Sequence, residues 1–275
     1  MNRLPIEKRA QIIGLLVEGM SMRGVSRVMG CSINTVTKLL EEVGFACNVY
    51  QSEHLRNLQS KRVQCDEIWA FCYSKEKNVA PEDKGILGHG DVYTWTAIDP
   101  DSKLMISYLV GKRDADYAQA FMMDVAGRLA NRVQLTTDGH QPYLNAVSDA
   151  FGADIDYAML VKHYGPGSTT DQRRYSPAEF IDAEKRVING NPDIKKVSTS
   201  HVERANLTMR MGMRRFTRLT NGFSKKVENL EHAVSLHFMH YNFARIHKTL
   251  RVTPAMEAGI SDHVWTLEEI AALAE

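Results

Sequence analysis

The sequence predicts an α/β protein, with a mixed β-sheet and flanking helices preceded by a small all-α domain. Apolar residues recur at helical spacing over the first 45 residues, interrupted by short turns. From Arg62 the pattern changes to three runs rich in β-branched and aromatic residues, which are typical of strands. Helical and strand-like segments then alternate to about residue 161, and this order favours a mixed sheet with helices on its faces.

The N-terminal domain, residues 1–45, is expected to contain three helices, at Ile6–Val17, Met22–Met29 and Ser32–Val43. Ser21 and Ser32 stand where a hydroxyl accepts a free amide hydrogen at the start of a helix. A short second helix, a glycine-containing turn and a third helix with a polar first turn are typical of a helix-turn-helix.

In a helix-turn-helix the last helix enters the DNA major groove. We therefore expect Asn34, Thr35 and Lys38 to contact DNA, and the apolar residues of the same helix to pack inward. The inward set is Ile33, Val36, Leu39 and Leu40. A trihelical bundle with no DNA role is the alternative. Residues 46–61 are polar and weakly patterned, which predicts a linker.

The second domain is expected to span residues 62–260. Its predicted elements are, in chain order, strands Val63–Tyr73, Val92–Asp99 and Leu104–Val110, helix Asp114–Leu129, strand Gln134–Thr137, helix Pro142–Phe151, strand Tyr157–Val161, a helix from about Ser198 and helix Lys225–Phe243. Residues 261–275 are expected to form an acidic C-terminal tail helix.

Residues 162–199 are predicted to be an insertion, because this polar stretch is too long for a simple connection. Two interpretations stay open: a segment that closes over DNA, with Arg173, Arg174 and Lys185 as contacts, or plain disorder.

Two acidic residues of the predicted sheet are candidates for a site. Asp66 lies in mid-strand among apolar neighbours, where a carboxylate is costly to bury unless a cation such as a metal ion pairs with it. Asp138 falls at a strand end, where the active sites of such sheets collect. Glu67 should point to the opposite face from Asp66 by strand alternation, so we do not expect both to be ligands.

Glu203 is the third candidate, since helical spacing places it on one face with Asn206, Arg210 and Arg214. The other face would bury Val202, Ala205, Met209 and Phe216. Residues 195–251 hold twelve Lys and Arg against three Asp and Glu, which points to a polyanionic partner. An acid among phosphate-binding cations fits a divalent metal acting on a phosphodiester. A surface ion-pair helix is the bland alternative.

Several classes of function are disfavoured by the sequence. The apolar runs are too short to span a membrane, and the first residues lack the apolar stretch of a signal peptide, so a cytoplasmic location is expected. The four cysteines form no Cys-x-x-Cys pair, which argues against a zinc ribbon. Because no phosphate-cradling Gly-x-x-x-x-Gly-Lys occurs, we expect no nucleotide cofactor.

The order of several short motifs resembles the DDE transposases of bacterial insertion sequences, closest to the insertion-sequence-one type. The motifs are Asp66-Glu67-Ile68-Trp69, Thr137-Asp138-Gly139-His140 followed by Tyr143, His201-Val202-Glu203-Arg204-Ala205-Asn206, and a tail from Tyr241-Asn242-Phe243 to Thr253-Pro254. The resemblance covers about residues 62–260. Members of the family often carry an N-terminal zinc-binding cysteine motif, and no such motif occurs in this sequence.

The resemblance implies a ribonuclease H-like fold with Asp66, Asp138 and Glu203 as the catalytic, metal-binding acids and Arg210 as the family's basic residue. It further implies Mg²⁺ or Mn²⁺ as cofactor, double-stranded DNA of the element ends and of the target as partner, a homo-oligomer on DNA, and a bacterial, nucleoid-associated location. Two alternatives are a catalytically inactive, sequence-specific DNA-binding regulator and another nuclease of the same fold, such as a junction resolvase.

Overall fold

The computed structural model describes residues 3–165, 180–217 and 221–275. Its helices are α1 Ile6–Val17, α2 Met22–Met29, α3 Ile33–His54, α4 Ala115–Arg128, α5 Pro142–Phe151, α6 Ser200–Gly212, α7 Val227–Met239, α8 Pro254–Glu257 and α9 Leu267–Ala272. Its strands are β1 Arg62–Cys72, β2 Gly90–Ile98, β3 Met105–Gly111, β4 Gln134–Asp138, β5 Asp156–Tyr164 and β6 Phe180–Asn189. No helix in these ranges is both long enough and apolar enough to cross a membrane.

The six strands form one mixed sheet in the order β3-β2-β1-β4-β5-β6. The first three strands along the chain form an antiparallel meander, β4 joins β1 in parallel, and β5 joins β4 in parallel. The predicted mixed sheet with flanking helices, in a ribonuclease H-like arrangement, is therefore confirmed.

Each face of the sheet is covered by its own pair of helices. On one face, Ile68 of β1 packs in a core with Val202 of α6 and Val234 of α7. On the other face, Cys65 of β1 lies in a core with Phe121 of α4 and Tyr143 of α5, and all three are fully buried. Strand alternation thus sends even-numbered residues of β1 toward α6 and odd-numbered ones toward α5.

Helix α3 continues to His54, so residues 46–54, which were predicted as linker, are helical. The reason is a buried stripe at helical spacing, Val43, Cys47 and Gln51, that packs on the part of the chain that forms the sheet and its flanking helices. The buried Gln51 Nε2 donates to Ser235 O at 3.1 Å. The N-terminal helices and the sheet consequently share one hydrophobic core.

Three further details differ from the sequence-based expectations. The predicted insertion, 162–199, contains the end of β5 and a sixth strand, β6, which pairs antiparallel with β5. Ile33, expected to pack inward, is 39% exposed, because it lies in the first turn of α3, where the helix borders an open cavity. Helix α6 ends at Gly212, so Arg214 lies in the following turn rather than on the helical face of Glu203.

Candidate active site

Three carboxylates meet where β1 and β4 separate. Oxygen atoms of Asp66, Glu67 and Asp138 lie within 4.8 Å of one another, and the three residues are partly buried. We call these three residues the carboxylate cluster.

The separation of two strands explains why consecutive residues can join one cluster. Pairing between β1 and β4 stops at Gln64 and Thr136, and the same register continued for two residues sets Asp66 opposite Asp138. Because Asp138 is the last residue of β4, its side chain lies at the gap between the strands, within reach of carboxylates on both faces of β1. Glu67 interacts with Tyr143 of α5, on the opposite face from Asp66 as strand alternation predicts, and its carboxylate nevertheless joins the cluster.

The cluster is oriented by a few specific hydrogen bonds. Asp66 Oδ2 accepts from Asn206 Nδ2 at 2.9 Å, and Asp66 Oδ1 accepts from the Glu67 amide at 2.9 Å. Asp138 Oδ1 accepts from the His140 amide at 2.9 Å. Arg113 approaches from the end of β3, with Nε 3.0 Å from Glu67 Oε2 and Nη2 3.5 Å from Asp138 Oδ2.

Burial and mutual repulsion disfavour the ionised forms of two of these acids. Burial first, and then the nearby charge of Asp138, raise the pKa of Asp66 to about 6 and the pKa of Glu67 to about 7. Glu67 Oε1 is buried and makes no hydrogen bond of normal geometry with a described residue, although the Tyr143 hydroxyl interacts with the Glu67 carboxylate. Such a group of acids is short of positive charge, which a divalent cation with a preference for oxygen ligands would supply.

Glu203 lies beside this cluster but outside it. Glu203 precedes Asn206 by three residues on α6, and Asn206 contacts Asp66, so Glu203 lies on the same side of the sheet as Asp66. Its charge contributes to the raised pKa of Asp66. Its carboxylate pairs with the Lys162 ammonium and accepts from Thr199 Oγ1 at 2.5 Å. The structure thus brings Asp66 and Asp138 together, and sets Glu203 nearby in an ion pair.

Helix α6 is fixed over the cluster by a buried glutamine. Gln64 Oε1 accepts from the amides of His201 at 2.9 Å and Val202 at 3.2 Å, so it satisfies two of the free donors at the start of α6. Asn206, one turn further along α6, is buried. Its Nδ2 donates to Asp66, and its Oδ1 accepts from Thr96 Oγ1 at 3.2 Å. The position of Glu203 follows from these contacts.

The basic residues predicted to bind DNA lie in two places. Arg210 is half-buried near the end of α6, on the side of Glu203. Arg214 is exposed and lines a cavity of about 740 Å³ between the N-terminal helices and the segment after α6. Arg23 and Arg215 line the same cavity, together with Ile33 of α3. Arg214 therefore belongs with the N-terminal helices rather than with the carboxylate cluster.

The first turns of α3 carry the predicted groove-contacting residues. Asn34 and Lys38 are exposed and Thr35 is half-buried. Ser32 caps the helix by accepting from the Asn34 amide at 3.2 Å, and Lys38 forms an ion pair with Glu42 at 3.7 Å. Val36, Leu39 and Leu40 are buried as expected.

Among the residues expected to contact DNA from the predicted insertion, Arg173 and Arg174 lie outside the described ranges. Lys185 lies on β6, where its ammonium donates to Ile194 O at 2.7 Å. This contact holds Lys185 against the turn before α6.

Glu67, Arg113, Gln64 and Lys162 are site residues that sequence reasoning missed. Arg113 follows the last residue of β3 by two positions, so the end of a predicted strand was the available signal. Gln64 precedes Asp66 by two residues in a strand and must therefore share its face, which was a second usable signal. Lys162 had no sequence signal, since its contact with Glu203 is purely tertiary.

No family model and no curated protein matches the sequence. Similar solved structures include the Mos1 strand transfer complex, at 15% identity and a TM-score of 0.25, covering 57% of this chain and 59% of that one. The Mos1 transposase paired-end complex with left transposon end has 14% identity and a TM-score of 0.26, covering 57% and 60%. The synaptic complex of piggyBac transposase with hairpin DNA has 10% identity and a TM-score of 0.42, covering 98% and 69%.

This chain thus spans about three fifths of the length of the Mos1 chains that it matches. Because the identities and TM-scores are low, we take the fold from the sheet order and the site from its own contacts.

Proposed function

We propose that this chain is a DNA transposase that cleaves and joins DNA strands with a divalent metal ion. The observation that carries the proposal is the carboxylate cluster, in which oxygens of Asp66, Glu67 and Asp138 lie within 4.8 Å of one another where the two central strands of the sheet separate. Hard oxygen donors of this kind suit Mg²⁺ or Mn²⁺.

The residues fit a divalent ion for two reasons. The raised pKa values of Asp66 and Glu67 come first from burial and then from the charge of Asp138, and Arg113 compensates only part of the negative charge. The buried Glu67 Oε1 also makes no hydrogen bond of normal geometry with a described residue. A bound Mg²⁺ or Mn²⁺ would activate a water molecule or a DNA 3′-hydroxyl and stabilise the leaving oxygen of the phosphodiester.

In this proposal Asp66, Asp138 and Glu203 are the metal ligands, and the neighbouring residues hold them in place. Asn206 orients Asp66, and Arg113 holds Asp138 while pairing with Glu67. Glu203 joins the ligands by exchanging its ion pair with Lys162, whose ammonium is then available to a DNA phosphate.

The basic residues and the N-terminal helices would bind the DNA. Arg210 lies on the Glu203 side of α6 and contacts the phosphate backbone near the reacting bond, while Arg214 contacts backbone beside the helix-turn-helix. Asn34, Thr35 and Lys38 read the major groove at the element ends. We infer a homo-oligomer on element and target DNA, and an enzyme of the insertion-sequence-one type, from the motif resemblance.

The first prediction tests the metal ligands. Asp66→Asn, Asp138→Asn and Glu203→Gln should each reduce Mg²⁺-dependent nicking and joining of plasmid DNA by roughly two orders of magnitude or more, because each removes a charge that holds the ion. DNA binding should be largely retained, since phosphate contacts supply most of the affinity. Mn²⁺ binding, followed by electron paramagnetic resonance, should weaken in parallel.

Asp101→Asn is the matched control, because Asp101 is an acid of the same domain that pairs with Arg62 away from the cluster. It should nick DNA and bind Mn²⁺ like the unmodified protein. Normal strand transfer by Asp66→Asn would refute the assignment. DNA binding with no nicking and no Mn²⁺ binding by the unmodified protein would favour the inactive regulator instead.

A further inference from the structure

The face of β1 that carries Glu67 continues as aromatic side chains. Trp69 and Phe71 follow at alternate positions, and their ring centroids lie 5.8 Å apart. Phe223 lies next to Phe71, with a distance of 4.8 Å between the ring centroids. All three side chains are partly exposed. We call Trp69, Phe71 and Phe223 the aromatic row.

The aromatic row is held by backbone pairing rather than by burial. The Tyr73 amide donates to Ser224 O at 2.9 Å, and Cys72 forms a β-bridge with Ser224, which fixes Phe223 beside β1. On the same face of β1, Val63 is fully buried under the helices, whereas the aromatic row remains open to solvent. Large rings that are fixed and partly exposed are characteristic of binding surfaces.

Cations lie at both ends of the aromatic row. Lys75 Nζ lies 5.9 Å from the centroid of Phe71, at the end far from the carboxylate cluster. At the near end, Arg113 Cζ lies 5.8 Å from the centroid of Tyr93, which pairs directly opposite Trp69 in the sheet. Asp91 pairs opposite Phe71, and Glu76 Oε2 accepts from the Asp91 amide at 3.1 Å, so two negative charges lie along the same stretch.

Aromatic rings interleaved with cations suit a single-stranded nucleic acid, because bases stack on the rings and phosphates pair with the cations. We propose that the aromatic row stacks unpaired bases of the DNA strand that crosses the carboxylate cluster. The proposal rests on the proposed function, since it extends from the cluster along the same strand, β1. A second copy of this chain is the competing occupant, but the flanking cations and the continuity with the cluster favour the nucleic acid.

The second prediction uses tryptophan fluorescence with a short oligothymidylate in EDTA, so that no metal is needed. The chain has three tryptophans, and Trp95 is fully buried. The oligonucleotide should quench the fluorescence of the unmodified protein, and this quenching should be lost in Trp69→Phe but kept in Trp265→Phe. Phe71→Leu, which keeps an apolar side chain without a ring, should weaken binding at least about fivefold.

Tyr164→Leu is the matched control for Phe71→Leu, because Tyr164 is an exposed ring on β5 of the same sheet. It should bind the oligonucleotide normally. Quenching that persists in Trp69→Phe, or equal affinities of Phe71→Leu and Tyr164→Leu, would overturn the proposal. So would a change in oligomeric state of Phe71→Leu, seen by light scattering, with unchanged oligonucleotide affinity.

The same experiment separates this inference from the proposed function. Asp66→Asn should keep the quenching while losing nicking. If the unmodified protein shows quenching at Trp69 without metal-dependent nicking, the aromatic row binds bases and the proposed function is wrong. If it nicks DNA but shows no quenching at Trp69, the enzyme assignment stands and the aromatic row has no such role.

Discussion

The carboxylates of Asp66 and Glu67 are held in the protein at a cost in folding free energy. Burial raises both pKa values, so the folded state keeps protons on these side chains at pH values where the unfolded chain has already lost them. In the absence of a cation the neutral form is favoured below about pH 6 for Asp66 and below about pH 7 for Glu67. Acids with pKa values perturbed in this way are typical of functional sites, where a bound ligand stabilises the ionised carboxylates.

The third prediction follows from the sign of these shifts. The pKa of Asp66 is raised from 3.8 to about 6 and that of Glu67 from 4.5 to about 7, so the folded state binds more protons than the unfolded state between these values. The free energy of unfolding in EDTA should therefore fall as pH rises from about 4 to 7. Over its full range the shift of Asp66 corresponds to about 3 kcal/mol, at about 1.4 kcal/mol per unit of pKa.

Urea unfolding at pH 5 and pH 8 measures this change. The double variant Asp66→Asn with Glu67→Gln should lose that part of the pH dependence, and Mg²⁺ should stabilise the unmodified protein more at pH 8 than at pH 5. Asp101→Asn should leave the slope between pH 5 and 8 unchanged, because Arg62 lowers the pKa of Asp101. Parallel pH curves for the double variant and the unmodified protein would contradict the assignment.

Helix α3 serves two purposes along its length. Its first turns expose Asn34 and Lys38, while Val43, Cys47 and Gln51 are buried against the rest of the chain. Any DNA bound by the first turns is thereby held in a fixed relation to the sheet, because a continuous helix transmits position over its whole length.

The fourth prediction concerns the exposed end of α3. The unmodified protein is first used to select its preferred duplex from a random library. Asn34→Ala should then weaken the binding of that duplex by about 1–3 kcal/mol if Asn34 contacts a base edge. Lys38→Ala should weaken binding to all sequences equally if Lys38 contacts phosphate.

Lys8→Ala is the control, because Lys8 is an exposed cation on α1 in the same group of helices. It should bind the selected duplex with normal affinity. Unchanged sequence preference in Asn34→Ala would exclude a base contact by Asn34.

Within the described residues, contacts between segments far apart in the sequence hold the helices together. Helix α3 crosses α7 so closely that Gly44 faces the backbone of His232, where an added Cβ would lie 2.6 Å from the carbonyl oxygen. Buried Arg9 of α1 donates to Ala271 O of α9. These contacts join α3 to α7 and α1 to α9, and the same helices share a hydrophobic core with the sheet, which predicts one cooperative unfolding unit.

The fifth prediction compares two glycines in helices. Gly44→Ala should destabilise the protein by about 1–3 kcal/mol, because the steric cost of an added methyl group against His232 exceeds the stabilisation that the higher helix propensity of alanine supplies. Gly127→Ala in α4 should be neutral or stabilising, since the nearest atom to its added Cβ is Arg56 Nη1 at 3.6 Å. Thermal melts followed by circular dichroism and tryptophan fluorescence should coincide. Separate transitions for the helices and the sheet would contradict a single unit.

The sequence by itself predicted the helices and strands that have strong periodicity, and most of the mixed sheet. Ser21 and Ser32 marked the starts of α2 and α3 correctly, because capping is a local interaction between a side chain and the next few amides. The sequence also indicated Asp66 and Asp138 as site residues. A carboxylate in mid-strand among apolar neighbours is costly to bury, and an acid at a strand end lies where the active sites of such sheets collect. Both features are visible in the local sequence pattern.

The tertiary structure alone decided which acids meet. Glu67 joins the carboxylate cluster because β1 and β4 separate after Gln64, and the point where two strands part depends on packing distant in sequence. Lys162 holds Glu203 for the same reason, since β5 and α6 are brought together by the sheet. Local patterns predict elements and the faces of side chains, whereas contacts between elements depend on how the whole chain packs.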